Sequence, residues 1–555
     1  MQARAATAQL ETDVGPRHHQ GPKDTRAPAR TRRERLALWT FVAAELAIVP
    51  YFAWIGRTNW FSEDEWDFLA ARTAGNVHDL FLPFNQHWST LPILAFRLLW
   101  EIFGLTTYRP YLLLVLLLHL AIAGLLRLVM RRAGASSWTS TVAALAFALF
   151  GAGYYDILYA FQIGFNGSLV FGLVYLLLAD HDGALDGRDA LGLLCGIASL
   201  MSSGVGVAMA IVVATAVLIR RGWRLAAAHA VPLGVIFVVW VSWIGSSAYT
   251  KRHTATVGET LRFTFTDTKA VFVQLGHEPG IGVVLGIIVI GGLYLAWHPL
   301  DRQELVRRAA APFALLVGGV VFLAITGVGR GTRFSLAFQQ AEASRYLHVA
   351  AAMFVPAIGV GASAIAARWR TLAPVVLAAM LVGIPGNVNT LIGQTRSAAR
   401  GHQIVRAYAL TLAHLPIATA IPSLQPETFL LPHVTMGWLA AGAASGRIPS
   451  PGPLSFSVET RWNMNLVLPS STVQKAAECR ESALPAVVAL RTGDTMLPNT
   501  PARVVVSLSP ASKKGRPFTF DGPIGPGAYR STVAMVIDVT PASGDGVIRV
   551  CRGAP

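Results

Sequence analysis

Along the chain, apolar positions gather into long runs divided by short polar breaks. A membrane-crossing helix needs about 20 predominantly apolar residues. Eleven runs are read as spans: 36–56, 111–130, 139–158, 165–179, 191–201, 205–219, 226–244, 281–297, 309–328, 346–366 and 372–392. The pair flanking Met201-Ser202-Ser203-Gly204 is short for two crossings, and a single long tilted helix is the alternative. Residues 1–35, rich in Ala, Arg, Pro and Gln and without an apolar period, read as a disordered cytoplasmic tail. Its basic end, Thr31 to Arg35, resembles the start of a signal peptide. The apolar run that follows is too long for one and has no small-residue cleavage site, so it reads as an uncleaved span. Beyond 392, a polar helical stretch (397–415) leads into short β-branched runs at 465–468, 486–490, 503–508, 531–539 and 547–550, punctuated by Gly, Pro and Ser. The pattern predicts an all-α polytopic membrane domain over 36–392 and a small β-rich C-terminal domain within 393–555.

Composition agrees. The chain is 53% hydrophobic and 14% charged, with mean hydropathy +0.49, whereas soluble domains carry about 25% charged residues. That excludes a soluble enzyme and a largely disordered chain. The net charge of +16 does not point to nucleic acid, because the arginines bracket apolar runs. With eleven spans, Arg131/Arg132, Arg220/Arg221/Arg224, Arg307/Arg308 and Arg368/Arg370 all fall on one side, which positive-inside bias makes the cytoplasm. The expectation is a multi-pass protein of a bacterial plasma membrane, N-terminus inside and C-terminus outside. Segments 57–110, 246–280 and 329–345 then lie outside. Cys479 and Cys551 would share an oxidising compartment, where a disulfide between them can persist.

The first outer loop, 57–110, carries the densest chemistry. Glu63, Asp64, Glu65 and Asp67 sit within five positions just beyond the first span. Carboxylates crowded beside a bilayer repel one another. They suit either the solvated start of a helix or a general base with a second carboxylate that orients an acceptor or a divalent cation. Further on come Phe84-Asn85-Gln86-His87-Trp88 and an amphipathic run, 94–104.

The order of these elements resembles the GT-C superfamily of membrane glycosyltransferases, in the branch of protein O-mannosyltransferases and aminoarabinose transferases. One span is followed by an acidic outer loop, a His, an amphipathic helix ending in Phe103-Gly104, and an Arg before the second span. Leu193 to Ala210 resembles that branch's Gly-x-Ala-x-Leu-Thr-Lys-Gly-Pro stretch, and Arg345-Tyr346 resembles the Arg-Tyr that opens a late span. Two departures mark a divergent branch: Ser202-Ser203-Gly204 replaces Thr-Lys-Gly, and His87-Trp88-Ser89 replaces His-Pro-Pro. The resemblance implies an inverting transferase that takes a sugar from a polyprenyl-phosphate donor and gives it to an extracytoplasmic acceptor in the cell envelope. Asp64 then matches the base position, and Glu65 is the neighbour that orients acceptor or cation. Arg345, with Tyr346, would meet the lipid phosphate.

Other residues admit two readings. His87 and Trp88 suit a donor site or an interfacial aromatic belt. Asp156 suits acceptor binding or a solvated turn, and Arg330 and Arg333 suit attraction of an anionic donor or of headgroups. Glu45 falls within the first span, where a carboxylate is costly. No phosphate-cradling loop or dinucleotide pattern points to ATP-driven work. A transporter or flippase of lipid-linked sugars, or a scaffold for the C-terminal domain, would explain the spans but not the acidic loop. The topology predicts that cysteine placed at Ser136 reacts with an impermeant reagent only after permeabilisation, and cysteine at Ser457 in intact cells. The reverse pattern would invert the chain and move the acidic loop to the cytoplasm.

Overall fold

The computed structural model describes residues 31–245, 254–331, 342–414, 418, 422, 425–426, 429–451, 467–469, 479–491, 493–507, 519–524, 526–531 and 535–552. Residues 1–30, Arg333 and Ser457 lie outside these. Among the described residues, eight helical segments are long and apolar enough to cross a membrane, or nine if one bent pair counts as a span. The protein is therefore a multi-pass membrane protein.

The first helix, α1, spans Arg32–Ile55. It starts in a capping box, with the Thr31 hydroxyl accepting from the Glu34 amide and the Glu34 carboxylate from the Thr31 amide. Residues 32–35, grouped by sequence with the tail, thus form its first turn, and Glu34 pairs with Arg131 at 2.7 Å. Within 57–110 come α2 (Val77–Phe81) and α3 (Thr90–Phe103), and then α4 (Arg109–Arg132). The expected third span is α5 (Ser137–Ala148) and α6 (Tyr154–Leu158), bent by 43° at Gly151–Gly153. Then follow α7 (Ile163–Ala179), α8 (Gly187–Leu200), α9 (Val205–Arg221) and α10 (Trp223–Trp240).

The apolar pattern overcounts spans at α8 and α9. They have 14 and 17 residues, about 21 and 25 Å at 1.5 Å per residue, against a hydrocarbon core of about 30 Å. It also misses a helix. Part of the expected outer segment 246–280 is α11, Val257–Gly276, whose Glu259, Arg262, Asp267 and Lys269 break its apolar character. Next are α12 (Pro279–Trp297), α13 (Arg302–Arg330), α14 (Ser344–Arg368), α15 (Ala373–Leu381) and α16 (Ile384–Ala413). The expected polar stretch at 397–415 is largely the continuation of α16.

At the centre is α14, buried on every side from Tyr346 to Ala362. Small residues make this possible. A Cβ on Gly292 of α12 would fall 2.5 Å from the backbone of Gly361, and one on Gly359 would strike the Met130 sulfur at 2.2 Å.

The C-terminal region holds two antiparallel sheets. One has the order β1-β7-β4-β9-β2, from Val467–Pro469, Tyr529–Ser531, Thr495–Pro498, Val547–Cys551 and Cys479–Ala483. The other has β3-β8-β5-β6, from Ala486–Leu490, Met535–Pro541, Ala502–Ser507 and Thr519–Ile524. Cys479 and Cys551 are register partners in β2 and β9 and are joined by a disulfide. A last helix, α17 (Met436–Ala444), packs under the outer loop, with Trp438 stacked on Trp100 of α3 at 4.7 Å. This stretch therefore packs on the segment between α1 and α4.

At the bend between α5 and α6, Gly151 lies against α16 so closely that a Cβ would be 1.8 Å from the Asn387 carbonyl oxygen. Backbone cannot yield as a side chain can. Gly151→Ala should lower the melting midpoint of the detergent-solubilised protein by several degrees or prevent its recovery as a single species. An unchanged midpoint would refute this docking.

Candidate active site

The acidic run does not begin an ordinary solvated helix. Glu63 and Asp64 occupy a turn, with Glu63 at a positive φ of 49°, and a π-helical turn follows at Asp67–Ala71. The turn separates the four carboxylates. Glu65 is fully buried and Asp67 nearly so, Asp64 is half-buried, and Glu63 is exposed.

Glu65 fastens the loop. One of its oxygens accepts from the Tyr108 hydroxyl at 2.7 Å, the other from the Ser62 amide at 2.9 Å. Tyr108 in turn accepts from the Ala160 amide at 2.8 Å. Burial pushes the Glu65 carboxyl up to about 8, against the pull of these hydrogen bonds. Occupied and shielded, Glu65 is a positioning residue and does not reach an acceptor or a cation. Asp67 is likewise structural: it pairs with Arg72 at 3.2 Å. That guanidinium also donates to the carbonyls of Asp79, Leu82 and Pro83 at 3.0–3.1 Å. Sequence reading passed over Arg72, whose planar fork organises the loop in a way a lysine could not.

Asp64 remains as the accessible base candidate. Removal from water raises its pKa first and the Glu63 charge second, while Arg345 and Arg330 oppose both. The loop carboxylate and the two late arginines, some 270–280 positions apart in the chain, are thus brought within electrostatic reach of one another. Glu63 accepts from the Tyr155 hydroxyl at 2.6 Å. Arg345 lies over the Tyr346 and Tyr155 rings at 5.2 and 6.0 Å. Tyr346 itself is buried against Phe263 and Phe322.

His87 belongs to the same cluster. Asn85 and Gln86 adopt positive φ values of 46° and 73°, forming a tight turn closed by Phe84–His87 pairing. The Gly204 amide donates to His87 Nδ1 at 3.0 Å, and a Cβ on Gly204 would sit 2.8 Å from that nitrogen. The Ser-Ser-Gly and His-Trp motifs therefore meet in space. The protein packed round the half-buried imidazole lowers its pKa to about 4, and Arg330 and Arg345 add to this. His87 is neutral at pH 7. Trp88 is a packing residue: buried, stacked on Trp240 at 5.3 Å, and donating to the Thr90 hydroxyl at 2.7 Å.

Asp156 does not lie in a solvated turn or meet an acceptor. It is fully buried, with a carboxylate oxygen 3.2 Å from His348 Nδ1. Glu45 lies within electrostatic reach of Arg127 on α4. A second group, His181, Asp186 and Asp189, has its ligand atoms close enough for a metal ion. Arg188 and Arg221 already engage its carboxylates at 2.7 and 2.6 Å, so it reads as an ion-pair knot.

No family model matches the chain, and no curated protein does. Among solved structures, the chain is similar to the crystal structure of ArnT from Cupriavidus metallidurans bound to undecaprenyl phosphate. The TM-score is 0.43 and the identity 14%, over 77% of this chain and 87% of that one. What the site can do rests on its own residues.

The position of Glu65 predicts a pH dependence. Its folded pKa, about 8, exceeds the ordinary 4.5, so the folded state holds the proton more tightly. The stability this confers is complete below 4.5 and is lost as pH rises through 8. Glu65→Gln stays neutral, and the Tyr108 hydroxyl can turn to accept from its amide. The fall in melting midpoint between those pH values should be smaller in Glu65→Gln than in the unaltered protein. Parallel falls would contradict a protonated Glu65.

Proposed function

We propose that the protein is an integral-membrane glycosyltransferase that moves a sugar from a polyprenyl-phosphate donor to an acceptor outside the cytoplasm. The observation that carries this reading is the convergence of Asp64 with Arg345 and Arg330 at one end of the helical domain. Displacement at an anomeric carbon needs a base for the incoming hydroxyl and a cation for the departing phosphate. Asp64 supplies the first. Desolvation raises its basicity, and the arginines keep it from losing its charge altogether.

Arg345 supplies the second. It opens α14, and a guanidinium fork can pair two phosphate oxygens. Arg330, at the end of α13, adds positive potential. Arg333, outside the described residues, belongs to the same basic segment in sequence. His87, neutral and held through Nδ1, keeps its proton on Nε2, which makes it a donor for a sugar or phosphate oxygen. Within the acidic run, a divalent cation would fall to Glu63 and Asp64, since Glu65 and Asp67 are engaged elsewhere. The positive-inside reading puts this end of the domain at the outer membrane face.

A flippase would need Arg345 but would not need a base beside it. Asp64→Asn preserves shape and should reduce transfer from a polyprenyl-phosphate sugar by about 10²-fold or more with donor binding retained. Arg345→Ala should weaken donor binding and turnover together. Full transferase activity in Asp64→Asn would remove the catalytic assignment.

A further inference from the structure

The helix α11 supplies no group to the proposed transfer, but it joins the two basic ends of the cluster. It meets them at positions four residues apart. Just before the helix, the Ala255 amide donates to the Val328 carbonyl oxygen at 2.9 Å. One turn on, a Cβ on Gly331 would lie 3.5 Å from the Glu259 carbonyl oxygen. Val328 and Gly331 flank Arg330 at the end of α13. Phe263 then packs on Tyr346 at 6.3 Å, and Asp267 Oδ1 accepts from the Glu342 amide at 2.8 Å. Glu342 and Tyr346 flank Arg345 at the start of α14. Residues four apart follow one row along a helix, so a single row of α11 bridges the two arginine-bearing helix ends.

Asp267 is the costly member of this row. Its side chain is fully buried, and Oδ2 has no hydrogen-bond partner among the described residues. A carboxylate taken out of water for one hydrogen bond is a poor source of stability. Burial pushes the Asp267 carboxyl up to about 7, against the pull of the Glu342 amide. The residue it holds is constrained as well. Glu342 has φ 62°, a left-handed conformation that a residue with a side chain keeps only where its surroundings fix it. The start of α14 brings no capping side chain of its own, since Ala343 occupies the N-cap position. The Asp267 oxygen stands at that start, where the helix dipole favours negative charge. A second contact comes from α6, whose Tyr155 amide donates to the Ser344 hydroxyl oxygen at 3.0 Å. The backbone is thus held at Glu342 and at Ser344, directly ahead of Arg345.

We propose that Asp267 is a positioning residue for Arg345: by accepting from the Glu342 amide it holds the left-handed turn from which α14 starts, and so sets where the guanidinium meets the donor phosphate. Asp267 touches no substrate and acts only through the backbone it fixes. The effect on the donor rests on the phosphate role given to Arg345 above; the tether at Glu342 does not.

Hydrogen exchange at the Glu342 amide tests the tether without reference to activity. In the detergent-solubilised protein, Asp267→Leu should speed that exchange about tenfold or more. Asp267→Asn keeps an acceptor oxygen and should leave it slow. Binding of a polyprenyl phosphate tests the coupling. Asp267→Leu should weaken binding roughly tenfold, and Asp267→Asn should retain it, since the oxygen and not the charge holds the turn. Glu342 is exposed, so Glu342→Pro removes the donor at little risk to folding and should weaken binding to the same degree. A merely structural carboxylate predicts that Asn and Leu fall together in melting midpoint and leave the affinity of the folded fraction unchanged. Slow exchange at Glu342 in Asp267→Leu would overturn the tether, and full donor affinity in both Asp267→Leu and Glu342→Pro would overturn the coupling. If the unaltered protein binds no polyprenyl phosphate, the proposed function falls while exchange at Glu342 still decides the tether.

Discussion

The candidate site of this protein depends on one buried hydrogen bond, from the Tyr108 hydroxyl to Glu65. It ties the acidic loop to the start of α4, and through the Ala160 amide to the start of α7. A carboxyl group with no access to water is expensive to ionise, so at neutral pH it serves as a neutral fastening. Fixing Glu65 inside forces its neighbour Asp64 to the boundary with solvent. The division of labour among four adjacent carboxylates follows from which of them is buried.

The same logic governs the far side of the cluster. Arg345 lies at the start of the most deeply buried helix, over the rings of Tyr155 and Tyr346. Tyr155 donates to Glu63 while its ring lies beneath Arg345. One aromatic side chain therefore links the acidic and basic halves of the cluster without neutralising either.

Much of this was legible in the sequence. Long apolar runs located the helices because a bilayer demands about 20 residues whatever the tertiary contacts. Asp64 and Arg345 stood out through the resemblance of their surroundings to a known branch, not through any pattern of charge. Other features left no periodic signal. The protein-facing helix α11 carries too many charges to read as a span, and α8 and α9 are apolar but too short. Burial separated Glu65 from Asp64, and adjacent residues of one type cannot show which of them points inward. The burial of Trp88 and Asp156 left no mark in the sequence either. Arg72 was missed because its partners are backbone carbonyls, which no side-chain pattern reveals. His119 and His348, 229 positions apart, meet only through the packing of α4 on α14.

The π-helical turn at Asp67–Ala71 has a consequence for how this site tolerates change in length. A π turn holds one residue more than an α turn over the same rise. Removing one residue there would let the backbone relax into α geometry with its two flanks still in register, whereas the same deletion in an α turn would rotate them by about 100°, since 3.6 residues complete a turn. Asp64 and the Arg72 knot lie on opposite sides of that turn. The wide turn is therefore the place where this loop can lose a residue with the least change in how its two ends face each other.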